Sequence, residues 1–181
     1  MIKKHLPNMI TSCRILATIS LIFIEPLSVL FFVIYTLAGI SDILDGYFAR
    51  KFDVVSEFGS RLDSISDYLF YIVMVFKIIP MLWTELPRKI WIAVISITIY
   101  RILVYIYAWR KFHLFASLHT VLNKISGFGF FAMPYALKFS VITPLCIAVA
   151  VITATAVTEE FIIHLKSEHY TGHIRSIFSM K

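Results

Sequence analysis

Six apolar runs, each about as long as a bilayer's hydrocarbon core is thick, leave this chain few choices of fold. A helix rises 1.5 Å per residue, so roughly 20 apolar residues cross about 30 Å of hydrocarbon. Runs of that kind lie near residues 9–25, 27–48, 61–82, 89–109, 119–138 and 141–163. Inside lipid every backbone N–H and C=O must be paired within the segment, which makes each run a helix. The expected fold is therefore an all-α integral membrane protein of six transmembrane helices. Proline and charge end the runs at Glu25-Pro26, at TELPRK (84–89) and at KFSVITP (138–144). The composition agrees, since 59% of residues are hydrophobic and only 15% are charged, against about a quarter charged in soluble domains. No Gly/Ser linker or low-complexity tract divides the sequence, so residues 1–181 are read as one membrane domain.

Basic residues set the expected orientation. Lys3, Lys4, Arg14, Arg50, Lys51, Arg61, Arg110, Lys111, Lys166, Arg175 and Lys181 fall on one side of six spans, with chiefly Arg88, Lys89 and Lys138 on the other. Positive charge marks the cytoplasmic side, which places both termini there, in the cell's inner membrane. The formal charge of +6 then reflects topology and attraction to anionic headgroups. Nucleic acid is excluded as a partner because the cations are scattered among membrane segments rather than gathered on one soluble face. Arg14 interrupts the first apolar run and no small-residue cleavage site follows it, so that run is read as a span and not as a signal peptide. Cys13 and Cys146 fall at opposite membrane faces on this topology, so no disulfide between them is expected.

Against this background residues 41–68, SDILDGYFARKFDVVSEFGSRLDSISDY, stand out. Asp42 and Asp45 are three apart at the cytoplasmic end of the second run, and Asp63 and Asp67 four apart at the start of the third. Both spacings put a pair on one helical face. An Asp at the centre of a spanning helix costs roughly 2.5 to 3.5 kcal/mol on the insertion scale, so a compensating charge is required. Hard divalent ions such as Mg²⁺ or Mn²⁺ take oxygen ligands, and two ions sharing bridging carboxylates suit four aspartates. Gly46, Ala49 and Gly59 leave room for a bulky ligand or a second helix, and Arg50 beside them can grip phosphate with two parallel bonds. Asp53 and Glu57, between the pairs, are read as loop and helix-capping residues.

The stretch resembles the CDP-alcohol phosphotransferase family, whose signature is Asp-x2-Asp-Gly-x2-Ala-Arg-x8-Gly-x3-Asp-x3-Asp. Every specified position is matched, by Asp42, Asp45, Gly46, Ala49, Arg50, Gly59, Asp63 and Asp67, and LPNMITSCRI (6–15) looks like the family's entry into the first span. The resemblance implies transfer of a phosphatidyl group from CDP-diacylglycerol to an alcohol, with release of CMP, at the cytoplasmic face of a homodimer. It implies that Asp42, Asp45, Asp63 and Asp67 are metal ligands, with two ions in each protomer. Asp67 would also be the base on the acceptor hydroxyl, Gly46, Ala49 and Gly59 would make room for the cytidine, Asp42 would also lie at the CDP moiety, and Arg50 would contact the diphosphate.

For the acceptor, Arg101 lies about eight residues inside the fourth span and Lys124 near the start of the fifth. Both look like basic positions of the branch that uses glycerol 3-phosphate, and together they could hold its phosphate. That branch commonly has Lys after the last Asp, where this chain has Tyr68. Phosphatidylglycerol, serine or an inositol phosphate are the other acceptors to weigh, serine because Glu159 or Glu160 could receive an ammonium. The plainer expectation for these two is a headgroup-level pairing with Lys166 or Arg175. Lys77 is expected to snorkel outward, Arg110, Lys111, His113 and His119 to lie at the interface, and His164, His169 and His173 to belong to a solvated tail. A divalent-cation transporter would need acids through the membrane depth, whereas these gather at one face. A structural scaffold would leave Gly46, Ala49, Arg50 and Gly59 without a reason.

Overall fold

A computed structural model describes residues 2–52, 54, 56–113 and 120–167, with residues 2–5 described by backbone alone. Six helices make up nearly all of it: α1 (Ile2–Phe23), α2 (Val29–Lys51), α3 (Glu57–Glu85), α4 (Arg88–Phe112), α5 (Val121–Lys138) and α6 (Ile142–Lys166). No strand occurs among the described residues. The three proline-marked breaks fall where the sequence puts them. Ser28 caps α2 by accepting from the Phe31 N–H, and Thr120 caps α5 by accepting from that of Asn123.

The helices overrun the apolar segments at the polar ends. α2 continues through Arg50 and Lys51, cations that suit the negative end of a helix. α3 begins at Glu57 rather than near residue 61, with Glu57 in its first turn and a 2.5 Å contact from Arg61 one turn on. The extension carries Gly59 and Ser60 onto the helix that bears Asp63 and Asp67. α1 to α4 and α6 are long and apolar enough to cross a membrane. α5 differs: it has 18 residues and dilutes its apolar character with Asn123, Lys124, Gly127, Gly129 and Pro134.

The chain divides into two units after Thr84. In the first, α1 packs on α2, and Phe31, Tyr35 and Phe70 stack in series, with centroids 5.6 and 5.4 Å apart, to join α2 to α3. Lys77 of α3 is half-buried, and its Nζ donates to the Ile24 carbonyl at 2.6 Å. It does not snorkel outward, because the end of α1 offers an unpaired carbonyl and a negative dipole end within reach.

In the second unit α6 packs against both α4 and α5. Tyr100 and Tyr107 of α4 flank Phe161 edge-on, and Lys111 donates to the carbonyls of His164 and Leu165 at the end of α6. Lys111 is therefore a helix cap as well as an end-of-span cation. His164 is buried, with the Phe112 ring 5.7 Å away and Glu160 Oε1 3.7 Å from Nε2. This corrects two expectations: His164 is not tail, and Glu160 faces His164 from a fully buried position one turn back. His119, His169 and His173 lie outside the described residues, as do Asp53 and Arg175.

Gly129 sets how closely α5 approaches α6. A Cβ there would overlap the Val149 side chain, whereas one at Gly127 would meet nothing within 4 Å. Gly129→Ala gains about 1 kcal/mol of helix propensity but overpacks at a cost of about 1 to 3 kcal/mol, so it should destabilise. Gly127→Ala, with the gain alone, should not. Thermal unfolding in detergent micelles checks the pair, and equal melting temperatures would remove Gly129 as a packing determinant.

Candidate functional site

The first unit gathers all four motif aspartates around one arginine. Asp42 and Asp45 stand one turn apart on α2, Asp63 and Asp67 one turn apart on α3, and Arg14 reaches them from the middle of α1. Its Nη1 donates to Asp42 Oδ1 at 2.8 Å, Asp63 Oδ1 at 3.2 Å and Asp67 Oδ1 at 2.7 Å, while Nη2 is paired with Asp45 Oδ2. Thr11, one turn before Arg14, donates to the same Asp45 oxygen at 2.8 Å. Asn8, Thr11 and Arg14 recur every three residues, which puts them along one side of α1.

Burial divides the four acids into two kinds. The side chains of Arg14 and Asp45 are 2% and 6% exposed, so they form a buried pair. Removing one partner of such a pair costs on the order of 3 to 5 kcal/mol, because a charge is stranded. Asp42, Asp63 and Asp67 are 51%, 45% and 56% exposed, open enough for a ligand to reach them. Their oxygens come within 4.8 Å of one another, close enough to share an ion.

The donor set fits a divalent cation. It is all carboxylate oxygen, and one guanidinium against four carboxylates leaves a formal excess of three negative charges. Asp42, Asp63 and Asp67 form the converging set, whereas Asp45 is held to one side by Arg14 and Thr11.

Beside the acids lies a cavity of about 250 Å³. Its walls come from α1 (Pro7, Asn8, Thr11), α2 (Asp45, Gly46, Ala49, Arg50), the connection (Val54, Ser56) and α3 (Gly59, Ser60, Asp63). Gly46, Ala49, Arg50 and Gly59 thus line one space, continuous with the acids through Asp45 and Asp63. Gly59 is the site of a close approach: a Cβ would lie 2.8 Å from Asn8 Oδ1 and 3.1 Å from Ser56 Oγ, so the Asn8 side chain would have to move to admit one. At Gly46 a Cβ would only touch the Arg50 guanidinium, at 3.5 Å, an ordinary contact, so Arg50 folds back over its own helix beside a position that could accept a small side chain.

Arg101 and Lys124 belong to the second unit. Arg101 is half-buried midway along α4 and donates through Nη2 to Asn123 Oδ1 at 2.8 Å, while Lys124, the next residue on α5, is exposed. Sequence reasoning passed over Asn123 as the partner of Arg101. It also read Arg14 only as an interruption and an end-of-span charge, although a lone arginine in an apolar run is the signal that marks it.

Three carboxylates close enough to share a cation stand next to a cavity with an arginine in its wall, an arrangement suited to a phosphorylated ligand. The chain belongs to the CDP-alcohol phosphatidyltransferase family, whose sequence profile matches residues 4–162. Over 73 residues it is 44% identical to a protein of Rickettsia bellii (strain RML369-C) and 41% identical to one of Rickettsia prowazekii (strain Madrid E). Both relatives are named CDP-diacylglycerol–glycerol-3-phosphate 3-phosphatidyltransferase. Each match covers 38% of this chain and 40% of the relative, so the chain spans well under two thirds of the length of the relatives it matches. No solved structure gives a significant match.

Proposed function

We propose that this protein transfers the phosphatidyl group of CDP-diacylglycerol to a hydroxyl of glycerol 3-phosphate and releases CMP. The observation that carries the reading is the convergence of Asp42, Asp63 and Asp67 beside a cavity lined by Gly46, Ala49, Arg50 and Gly59. The names of the rickettsial relatives favour glycerol 3-phosphate as the acceptor. Burial of Glu160 against His164 removes it as a free receptor for an ammonium, which weakens the case for serine.

Asp42, Asp45, Asp63 and Asp67 would hold Mg²⁺ or Mn²⁺, two ions in each protomer. When bound, such ions stabilise the attacking and leaving oxygens of an in-line displacement at phosphorus. The chain's own groups do the rest. Asp67, on the exposed side of the cluster, accepts the proton of the acceptor hydroxyl as its oxygen attacks the phosphorus that carries diacylglycerol. The bond from that phosphorus to CMP breaks as the new ester forms. Arg50 binds the diphosphate, and Gly46, Ala49 and Gly59 leave space for the cytidine. Arg101, oriented by Asn123, and Lys124 bind the phosphate of the acceptor.

The family match runs unbroken through residue 84, which supports one domain over residues 1–181. α5 joins the five more apolar helices as a sixth span, at about 27 Å long. The bias of basic residues supports cytoplasmic termini and an active site at the cytoplasmic face of the inner membrane. The protein acts as a homodimer, as is expected of its family. Purified protein incubated with CDP-diacylglycerol, Mg²⁺ or Mn²⁺ and a panel of acceptors tests the reading. Phosphatidylglycerophosphate should form with glycerol 3-phosphate and at most traces of lipid product with serine, inositol phosphate or phosphatidylglycerol; turnover only with another acceptor would reassign the substrate.

A further inference from the structure

Arg14 sits within the apolar length of α1, and its Nη1 and Nη2 are both partnered by carboxylates from other helices. The two hydrogens on Nη1 are shared among Asp42, Asp63 and Asp67, the same residues whose oxygens come close enough together to take an ion. Nη1 lies 2.7 to 3.2 Å from those oxygens, and an ion such as Mg²⁺ needs oxygens at about 2.0 to 2.1 Å. An ion centred among the three carboxylates would need the space that Nη1 fills. The guanidinium is also incompletely bonded, because Nε is buried with no hydrogen-bond partner. A buried donor left unpaired is a cost, so charge rather than a full set of hydrogen bonds keeps the group in place. A competing charge can displace it.

We propose that Arg14 is a tethered counter-cation of the aspartate cluster, holding Asp42, Asp63 and Asp67 together and competing with divalent ions for their oxygens. The inference rests on the reading of these aspartates as cation ligands. Nη2 is anchored on Asp45, whose same oxygen accepts from the Thr11 hydroxyl, so the side chain can give up its Nη1 contacts while α1 stays in register. Arg14 in this role is a positioning residue. It prevents four like charges on two helices from forcing α2 and α3 apart, and it sets the ion concentration at which the centre fills.

The test uses the full-length protein in detergent and needs no turnover. Binding of Mn²⁺ is read from the electron paramagnetic resonance signal of the free ion, and thermal unfolding is recorded in chelator and then in excess Mn²⁺. Arg14→Gln should bind Mn²⁺ about tenfold or more tightly than the wild type, because a competitor and a repelling charge are removed together. Its melting temperature in chelator should fall by several degrees, and Mn²⁺ should restore more of it than the ion adds to wild type. Arg14→Lys keeps the charge without the planar fork, so it should fall between the two and serves if Arg14→Gln does not fold. Weaker or unchanged Mn²⁺ binding by the variants, with wild type binding normally, would overturn the competition alone. No Mn²⁺ binding by wild type would overturn the metal centre and the competition with it.

Discussion

Asp67→Asn should lower kcat for CMP release by about 10² to 10⁴-fold, the usual contribution of a positioned base. The Michaelis constants for CDP-diacylglycerol and glycerol 3-phosphate should change by no more than a few-fold, because asparagine keeps the shape and loses the proton acceptor. Asp67 suits the role by position, being the most exposed of the four carboxylates at 56% while still 2.7 Å from Arg14 Nη1. Asp42→Asn provides the comparison. It loses one oxygen ligand, so high Mn²⁺ should recover much of its activity, and Asp67→Asn should stay slow at any ion concentration. Steady-state kinetics over a Mn²⁺ series separates the two, and full recovery of Asp67→Asn by Mn²⁺ would make it a ligand without a base function.

The second large effect concerns the acceptor. Arg101→Ala should raise the Michaelis constant for glycerol 3-phosphate by about ten- to a hundredfold, since a hydrogen bond to a charged group contributes about 1.5 to 3 kcal/mol. The constant for CDP-diacylglycerol should stay within about twofold, because the cavity proposed for that substrate is lined by residues of α1, α2, α3 and the connection between α2 and α3, and not by Arg101. Asn123→Ala should move the same constant in the same direction by less, as the 2.8 Å bond from Arg101 Nη2 orients the guanidinium without supplying its charge. Initial rates with each substrate varied in turn read both effects. An equal rise for donor and acceptor would place Arg101 outside the acceptor site.

The aspartate cluster was legible because helical spacing translates directly into geometry. Residues three or four apart share a helical face, so the sequence of 42–67 already contains the two pairs, and the structure adds that Arg14 joins them. Arg14 itself was visible as a charge in an apolar run, but its partners are 28 to 53 residues away, and no periodicity connects positions so far apart. The same limit hid the Lys77 bond to Ile24, 53 residues distant, and the Arg101 bond to Asn123, 22 residues distant. Glu160 and His164 were misread for a different reason. Charged residues near the end of a span usually reach water, and tertiary packing, which sets Phe112 of α4 against His164, buries this pair.

Helix ends were the weakest part of the sequence reading. Apolar length marks where hydrocarbon stops, but a helix continues as long as its polar residues pair or suit its dipole. Arg50 and Lys51 extend α2 in this way, and Glu57 with Arg61 extends α3, which is how Gly59 comes to lie against Asn8 in the cavity wall. α5 shows the reverse case, a helix whose small and polar residues serve packing on α6 and the bond to Arg101 at the expense of apolar character.

Chelation tests the central claim most directly. CMP release from CDP-diacylglycerol and glycerol 3-phosphate should stop in EDTA, return when Mg²⁺ or Mn²⁺ is added in excess, and fail to return in Asp63→Ala. Release that continues in chelator, or that Asp63→Ala supports at the wild-type rate, would contradict a metal-dependent phosphatidyl transfer at these aspartates.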